Sequence, residues 1–144
     1  MTGEPVHLPV IDQRPGWVRV LLPGRPNGLS GWIDTELVGI ITARYDLRVQ
    51  LGEGYLYVRF CGRSRRWPLT VRDSSPAVPL GRTYVLAGPA GRRTEGLLLA
   101  AHHGDAAGNV QVGGERGSGT FIVPAAALPT LARVEPGTMV LIRC

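Results

Sequence analysis

The sequence predicts a mainly β fold with one short helix, a mixed sheet or sandwich preceded by a small β module. Three observations carry this. Apolar residues alternate with polar ones after residue 44: Tyr45, Leu47, Val49 and Leu51 against Asp46, Arg48 and Gln50, then Leu56, Val58 and Phe60 on the return. A period of two puts the two sets on opposite faces of a strand. Glycine and proline supply 20 and 12 of the 144 residues without a collagen period, which suits short strands joined by turns. Pro124–Leu131 is the one good helix candidate, with proline at its start and alanine and leucine following.

The elements follow in order. Val6–Ile11 is extended and punctuated by proline, and Trp17–Leu22 is an apolar strand. Pro23-Gly24-Arg25-Pro26-Asn27-Gly28 is turn chemistry, and Gly31-Trp32-Ile33 resumes a strand. Residues 1–40 thus read as a small SH3-like module, too few strands to bury much alone and expected to pack on the rest. Residues 41–144 form the main domain. Its alternating strands turn at Gly52-Glu53-Gly54 and at Cys61-Gly62-Arg63-Ser64, and Trp67–Val71 makes a third strand of a meander. Asp73–Pro79 reads as a loop. Thr83–Leu86, Leu97–Ala101, Phe121–Val123 and Met139–Ile142 read as further strands.

Composition bounds the function. With 44% apolar and 19% charged residues the chain can build a core. Its net charge of +5 comes from arginine alone, since the sequence has no lysine. The densest cluster, Arg63-Ser64-Arg65-Arg66-Trp67, is read as a solvated hairpin turn. No nucleic-acid motif accompanies it, so nucleic acid is not an expected partner. Cys61 and Cys144 make no disulfide framework and no metal spacing, and neither a cofactor nor a metal is expected. The opening MTGEPVHLPV carries no signal-peptide pattern and no stretch is apolar enough to span a membrane, which gives a cytoplasmic expectation. Oligomeric state stays open.

The order of the pieces resembles the L,D-transpeptidase (YkuD-type) family in the form with an N-terminal SH3-like module. Gly16–Gly28 followed by Gly31-Trp32-Ile33 is similar to that module. Val78-Pro79-Leu80-Gly81-Arg82-Thr83-Tyr84 resembles the family's T-P-x-G-x-F/Y turn. His103-Gly104 resembles its first histidine motif, and Val134–Val140 its closing V-x-x-G-T-x-V strand. The likeness runs from about Gly16 onward. It implies a transpeptidase-like β sandwich, in which the family's cysteine thiolate attacks a peptide carbonyl and a histidine acts as base.

The catalytic motif itself is missing. Where the family has S/T-H-G-C-x-R, this chain reads Glu115-Arg116-Gly117-Ser118-Gly119-Thr120-Phe121, without the cysteine, the histidine before it or the arginine after it. Counting back from the closing strand puts Gly119 at the nucleophile position, and matching the preceding glycine puts Ser118 there. Ser118 with His103 is the candidate catalytic pair, with Gly117 and Gly119 offering backbone amides for an oxyanion hole; the plain alternative is a flexible Gly-Ser-Gly turn. His102 and His103 are neighbours that would face opposite ways at a strand end, and the resemblance selects His103 as the base. Asp105 is placed to orient an imidazole or to open a turn. Glu115 and Arg116 are candidate ligand-binding residues or a local ion pair.

Three readings remain open. In the first, the chain is a non-transpeptidase cleft protein that binds a small molecule or peptide. In the second, it is a repurposed biosynthetic enzyme doing acid–base chemistry with His103, a cyclisation or isomerisation. In the third, it is an acyl transferase acting through Ser118. None permits the family's thiol route.

Overall fold

A computed structural model describes residues 7–22, 29–72, 80–87, 96–99, 110–114 and 120–144. Three strands, β1 (Val10–Arg14), β2 (Trp17–Leu21) and β3 (Ser30–Asp34), form an antiparallel sheet in the order β1-β2-β3. Val18, Val20 and Leu21 are buried while Trp17 and Arg19 are exposed. After β3 a short 3-10 turn, Thr35–Leu37, is capped by the Asp34 side chain, which accepts from the Glu36 N–H at 2.9 Å. An exposed stretch then leads to the main sheet.

That sheet holds β4 (Tyr45–Gln50), β5 (Tyr55–Phe60), β6 (Arg63–Pro68), β7 (Thr70–Val71), β8 (Gly81–Ala87), β9 (Leu97–Leu99), β10 (Val110–Gly113), β11 (Phe121–Ile122) and β12 (Met139–Arg143). Its order is β6-β5-β4-β12-β8-β9-β10-β11-β7. The protein is thus mainly β, a small three-stranded sheet beside a larger mixed one, with parallel pairs at β4–β12 and β10–β11 and the rest antiparallel.

β6 and β7 stand at opposite ends of this order, yet only Leu69 separates them in sequence. The sheet therefore has to roll on itself, as sandwiches do where a strand changes sheets. Leu69 is the corner: it is buried, and its N–H donates to the Gly54 carbonyl at 2.9 Å. A second irregularity, a register shift between Val85 and Ala87, bends β8 where the two halves meet. Inside the roll lies the core. Leu47, Val49, Leu56 and Val58 from one half pack in one cluster with Leu97, Leu99, Val112 and Phe121 from the other. Each such fully buried side chain contributes about 1.5–3 kcal/mol.

The helix begins as a 3-10 turn, Ala125–Ala127, and continues as α1 (Leu128–Leu131), with Pro124 at the N-cap. Ala127 and Leu131 close the same core. The two sheets share a second buried cluster, in which Leu8, Ile11 and Leu21 meet Tyr84, Leu86 and Met139.

Three expectations need correction. The turn after β5 is only Cys61-Gly62, both with positive φ (48° and 83°), a two-residue hairpin turn whose twist suits the strands it joins. Arg63–Arg66 therefore belong to strand β6, not to a solvated turn. Trp67–Val71 is not one strand: Leu69 divides it, and Thr70–Val71 pairs with β11. β10, a strand the sequence does not predict, lies between β9 and β11.

Candidate functional site

The eight sequence-predicted site residues, His102, His103, Asp105, Glu115, Arg116, Gly117, Ser118 and Gly119, lie outside the described residues. Their flanks are described. The segment with the histidines leaves β9 at Leu99 and enters β10 at Val110, and these two residues pair across the antiparallel ladder. The Gly-Ser-Gly segment leaves β10 beyond Gly114 and enters β11 at Phe121, which pairs with Val112 in parallel register. Entry into β11 and both ends of the histidine segment thus attach to three adjacent strands. Gly96 fixes the start of β9. Its φ is +111°, and a Cβ there would lie 1.8 Å from the Val112 carbonyl oxygen, so only glycine lets β9 and β10 approach.

The two thiols sit elsewhere. Cys61 is exposed on the β5–β6 turn. Cys144 is exposed after β12, and its backbone lies against Gly52 of the β4–β5 turn, where a Cβ would come within 3.3 Å. Strand β8 separates β12 from β9.

A groove of about 590 Å³, not expected from the sequence, lies among the described residues. It is lined by Arg44, Tyr45, Val58, Phe60, Arg63, Arg65, Thr130 and Arg133. Register explains it. Tyr45 pairs with Phe60, Phe60 with Arg63, Leu47 with Val58 and Val58 with Arg65. Cross-strand partners share a face, so Arg63 and Arg65 continue the inner, core-facing row outward onto the edge strand. The Tyr45 and Phe60 rings lie 4.6 Å apart at their centroids, tilted by 37°. The end of α1 adds Thr130 and Arg133. The legible signal was the alternation itself. Counted in register from Val58 and Phe60, Arg63 and Arg65 fall on the apolar face, and an arginine there rims a recess.

The electrostatics are uneven. Arg44 is held by Glu135: its Nε donates to Glu135 Oε1 at 2.9 Å and its Nη2 bonds the same oxygen. That hydrogen bond and the carboxylate charge raise the Arg44 pKa. Arg65 stacks on the Trp67 ring at 4.6 Å. Arg63, Arg65 and Arg133 pair with no carboxylate among the described residues. On the outer face, Arg48, Tyr57 and Arg66 stand in register across three strands. Arg48 lies 5.2 Å from the Tyr57 ring and Arg66 4.4 Å from the Tyr55 ring. The Tyr57 hydroxyl donates to Glu53 at 2.6 Å, and this bond is the main reason its pKa is raised. Two buried polar atoms lack a partner among the described residues, Trp67 Nε1 and Tyr84 Oη. No group of three or more His, Cys, Asp or Glu among the described residues is placed to hold a metal ion. No helix among them is long and apolar enough to cross a membrane.

No family model matches the chain, and no curated protein matches it. Among solved structures it is similar to LD transpeptidase LdtMt1 in complex with imipenem, at 14% identity and a TM-score of 0.49, over 88% of this chain and 68% of that one.

Proposed function

We propose that residues 41–144 form an L,D-transpeptidase-like domain without the thiol nucleophile, behind an SH3-like module in residues 1–40, and that its cleft binds a small molecule or peptide rather than cross-linking one. The observation that carries this is the make-up of Glu115–Phe121. It replaces the family motif and offers no cysteine, while both thiols of the chain belong to other turns and strand ends. A hydroxyl in place of a thiol is a far weaker nucleophile at neutral pH unless a base and an oxyanion hole are both in place. Binding needs neither.

Native mass spectrometry of the protein purified from its own cells, beside a His103→Ala variant, tests this. A bound metabolite or peptide, released or weakened in the variant, is the expected result. Peptidoglycan cross-linking by the wild type, lost to a thiol-specific inhibitor, would overturn the reading.

A second reading has one observation in its favour, the retained His103-Gly104 pair. Under it the cleft performs acid–base chemistry on a small molecule. His103→Ala then abolishes turnover while Ser118→Ala spares it. If both variants are dead and an acyl adduct accumulates on Ser118, the chain is an acyl transferase instead. The cytoplasmic expectation belongs with these proposals; recovery of the native protein from a soluble cytosolic fraction would support it.

A further inference from the structure

We propose that the arginine groove at the β4–β5–β6 edge is a binding site for a small organic polyphosphate carrying a planar ring, of the nucleoside diphosphate class. The proposal is independent of the cleft, because none of the groove's lining residues lies in residues 100–119.

The charge comes first. Four arginines from three places in the chain line the groove: Arg44 before β4, Arg63 and Arg65 on β6, with Arg65 lying over the Trp67 ring, and Arg133 after α1. Arg44 is neutralised by Glu135, and the other three meet no described carboxylate. Each is a planar fork of N–H donors that matches phosphate oxygens in pairs. Three unneutralised cations around one recess suit a ligand of about three negative charges, which is the charge of a nucleoside diphosphate near neutral pH once its terminal phosphate has lost its second proton (a pKa of about 6).

The floor comes second. Tyr45, Val58 and Phe60 give an apolar, aromatic base between the arginines. Phe60, whose ring packs against Tyr45, is still 39% exposed in a strand whose Leu56 and Val58 are buried. A planar ring laid on such a surface gains stacking of about 1–3 kcal/mol. A space of about 590 Å³ falls within the roughly 300–1,000 Å³ of small-molecule sites.

A rival account treats the arginines as protection of an open sheet edge, since inward-pointing charges on an edge strand discourage pairing with a second chain. That covers Arg63 and Arg65. It does not explain why Arg133 from the helix end and Arg44 from the start of β4 line the same recess.

The test is calorimetric titration of the full chain with ADP, inorganic pyrophosphate, hexaglutamate and a single-stranded oligothymidylate. Saturable ADP binding, about ten-fold tighter than pyrophosphate because the ring adds stacking, is expected. Arg63→Ala and Arg133→Ala each weaken ADP roughly ten-fold by removing a charge-assisted contact, with circular dichroism unchanged. Arg63→Lys weakens it less, because the charge stays and only the fork is lost. Equal affinity for ADP and pyrophosphate would refute the ring-bearing class. Tighter binding of hexaglutamate or the oligonucleotide would reassign the groove to a macromolecule. No saturable binding at millimolar ADP, or binding indifferent to Arg63 and Arg133, would overturn the proposal outright.

Discussion

Arg44, which lines the groove, and Glu135 clasp one another, joining the residue before β4 to the segment after α1, 91 positions apart in the chain. Both side chains are well exposed, at 60% and 36%, so water screens the pair and it adds little to stability. Its effect is on charge, because it removes one of the four groove arginines from service.

Glu135→Gln should therefore leave the thermal midpoint nearly unchanged and strengthen ADP binding several-fold by releasing Arg44. Titration of the variant beside the wild type measures both. Unchanged or weaker affinity would show that Arg44 takes no part.

Tyr84 carries the clearest local conflict in the core. It is 2% exposed, and its hydroxyl has no described partner between the two sheets. Tyr84→Phe should raise stability by about 1 kcal/mol, the desolvation penalty of an unpaired buried hydroxyl less a small void. Burial raises the pKa of this phenol above its ordinary 10.0. The native state thus holds the proton after the unfolded state has released it. Stability is unaffected below about pH 10 and falls above it, by up to about 1.4 kcal/mol per pH unit. Urea unfolding at neutral and alkaline pH should show that slope reduced in the phenylalanine variant.

Gly96→Ala should be far worse than its single methyl suggests. The new Cβ meets backbone, not a side chain that can swing away, and the φ of +111° is itself strained for alanine. A loss of more than about 3 kcal/mol is expected, or failure to fold, whereas an exposed Gly62→Ala should cost about 1 kcal/mol. Denaturant midpoints of the two variants give the comparison.

Cys61 occupies a left-handed position, φ +48°, that asparagine adopts more readily. Cys61→Asn should gain roughly 0.5 kcal/mol. In the native wild type both exposed thiols should be alkylated without denaturant, and ligand binding in the cleft should survive the modification. Mass spectrometry counts the adducts; loss of cleft binding on alkylation would return a cysteine to the site.

The main strands were legible where one face is buried and the other wet, as in Tyr45–Gln50, because burial enforces the period of two. The helix was legible from Pro124 and the alanines after it. β10 was not, because Val110-Gln111-Val112 is too short to show a period and is bounded by Asn109 and two glycines, which read as loop. The division at Leu69 was hidden for a different reason. Pro68 to Val71 looks like continuous strand, and only the distant partner β11 reveals that the chain has crossed to the other end of the rolled sheet. The alternation carries Arg63 and Arg65 onto the apolar face only once the turn is known to be the two residues Cys61-Gly62, and a longer turn hid that count. Of the proposed cleft, the sequence supplied the residues and the structure supplies the strands that flank them.

β12 has a consequence for the route by which the protein folds. It lies in the middle of the large sheet, parallel to β4 and antiparallel to β8, yet the chain visits every other strand of that sheet first. Hairpin β4–β5–β6 forms from local contacts, but the open side of β4 waits for a partner that arrives last. The entropy of closing that long loop is lost before the pairing returns any stability, so refolding belongs on the millisecond-to-second side of the range for single domains. Throughout that wait β4 is an unpaired edge, and another copy of the same strand is its nearest competitor.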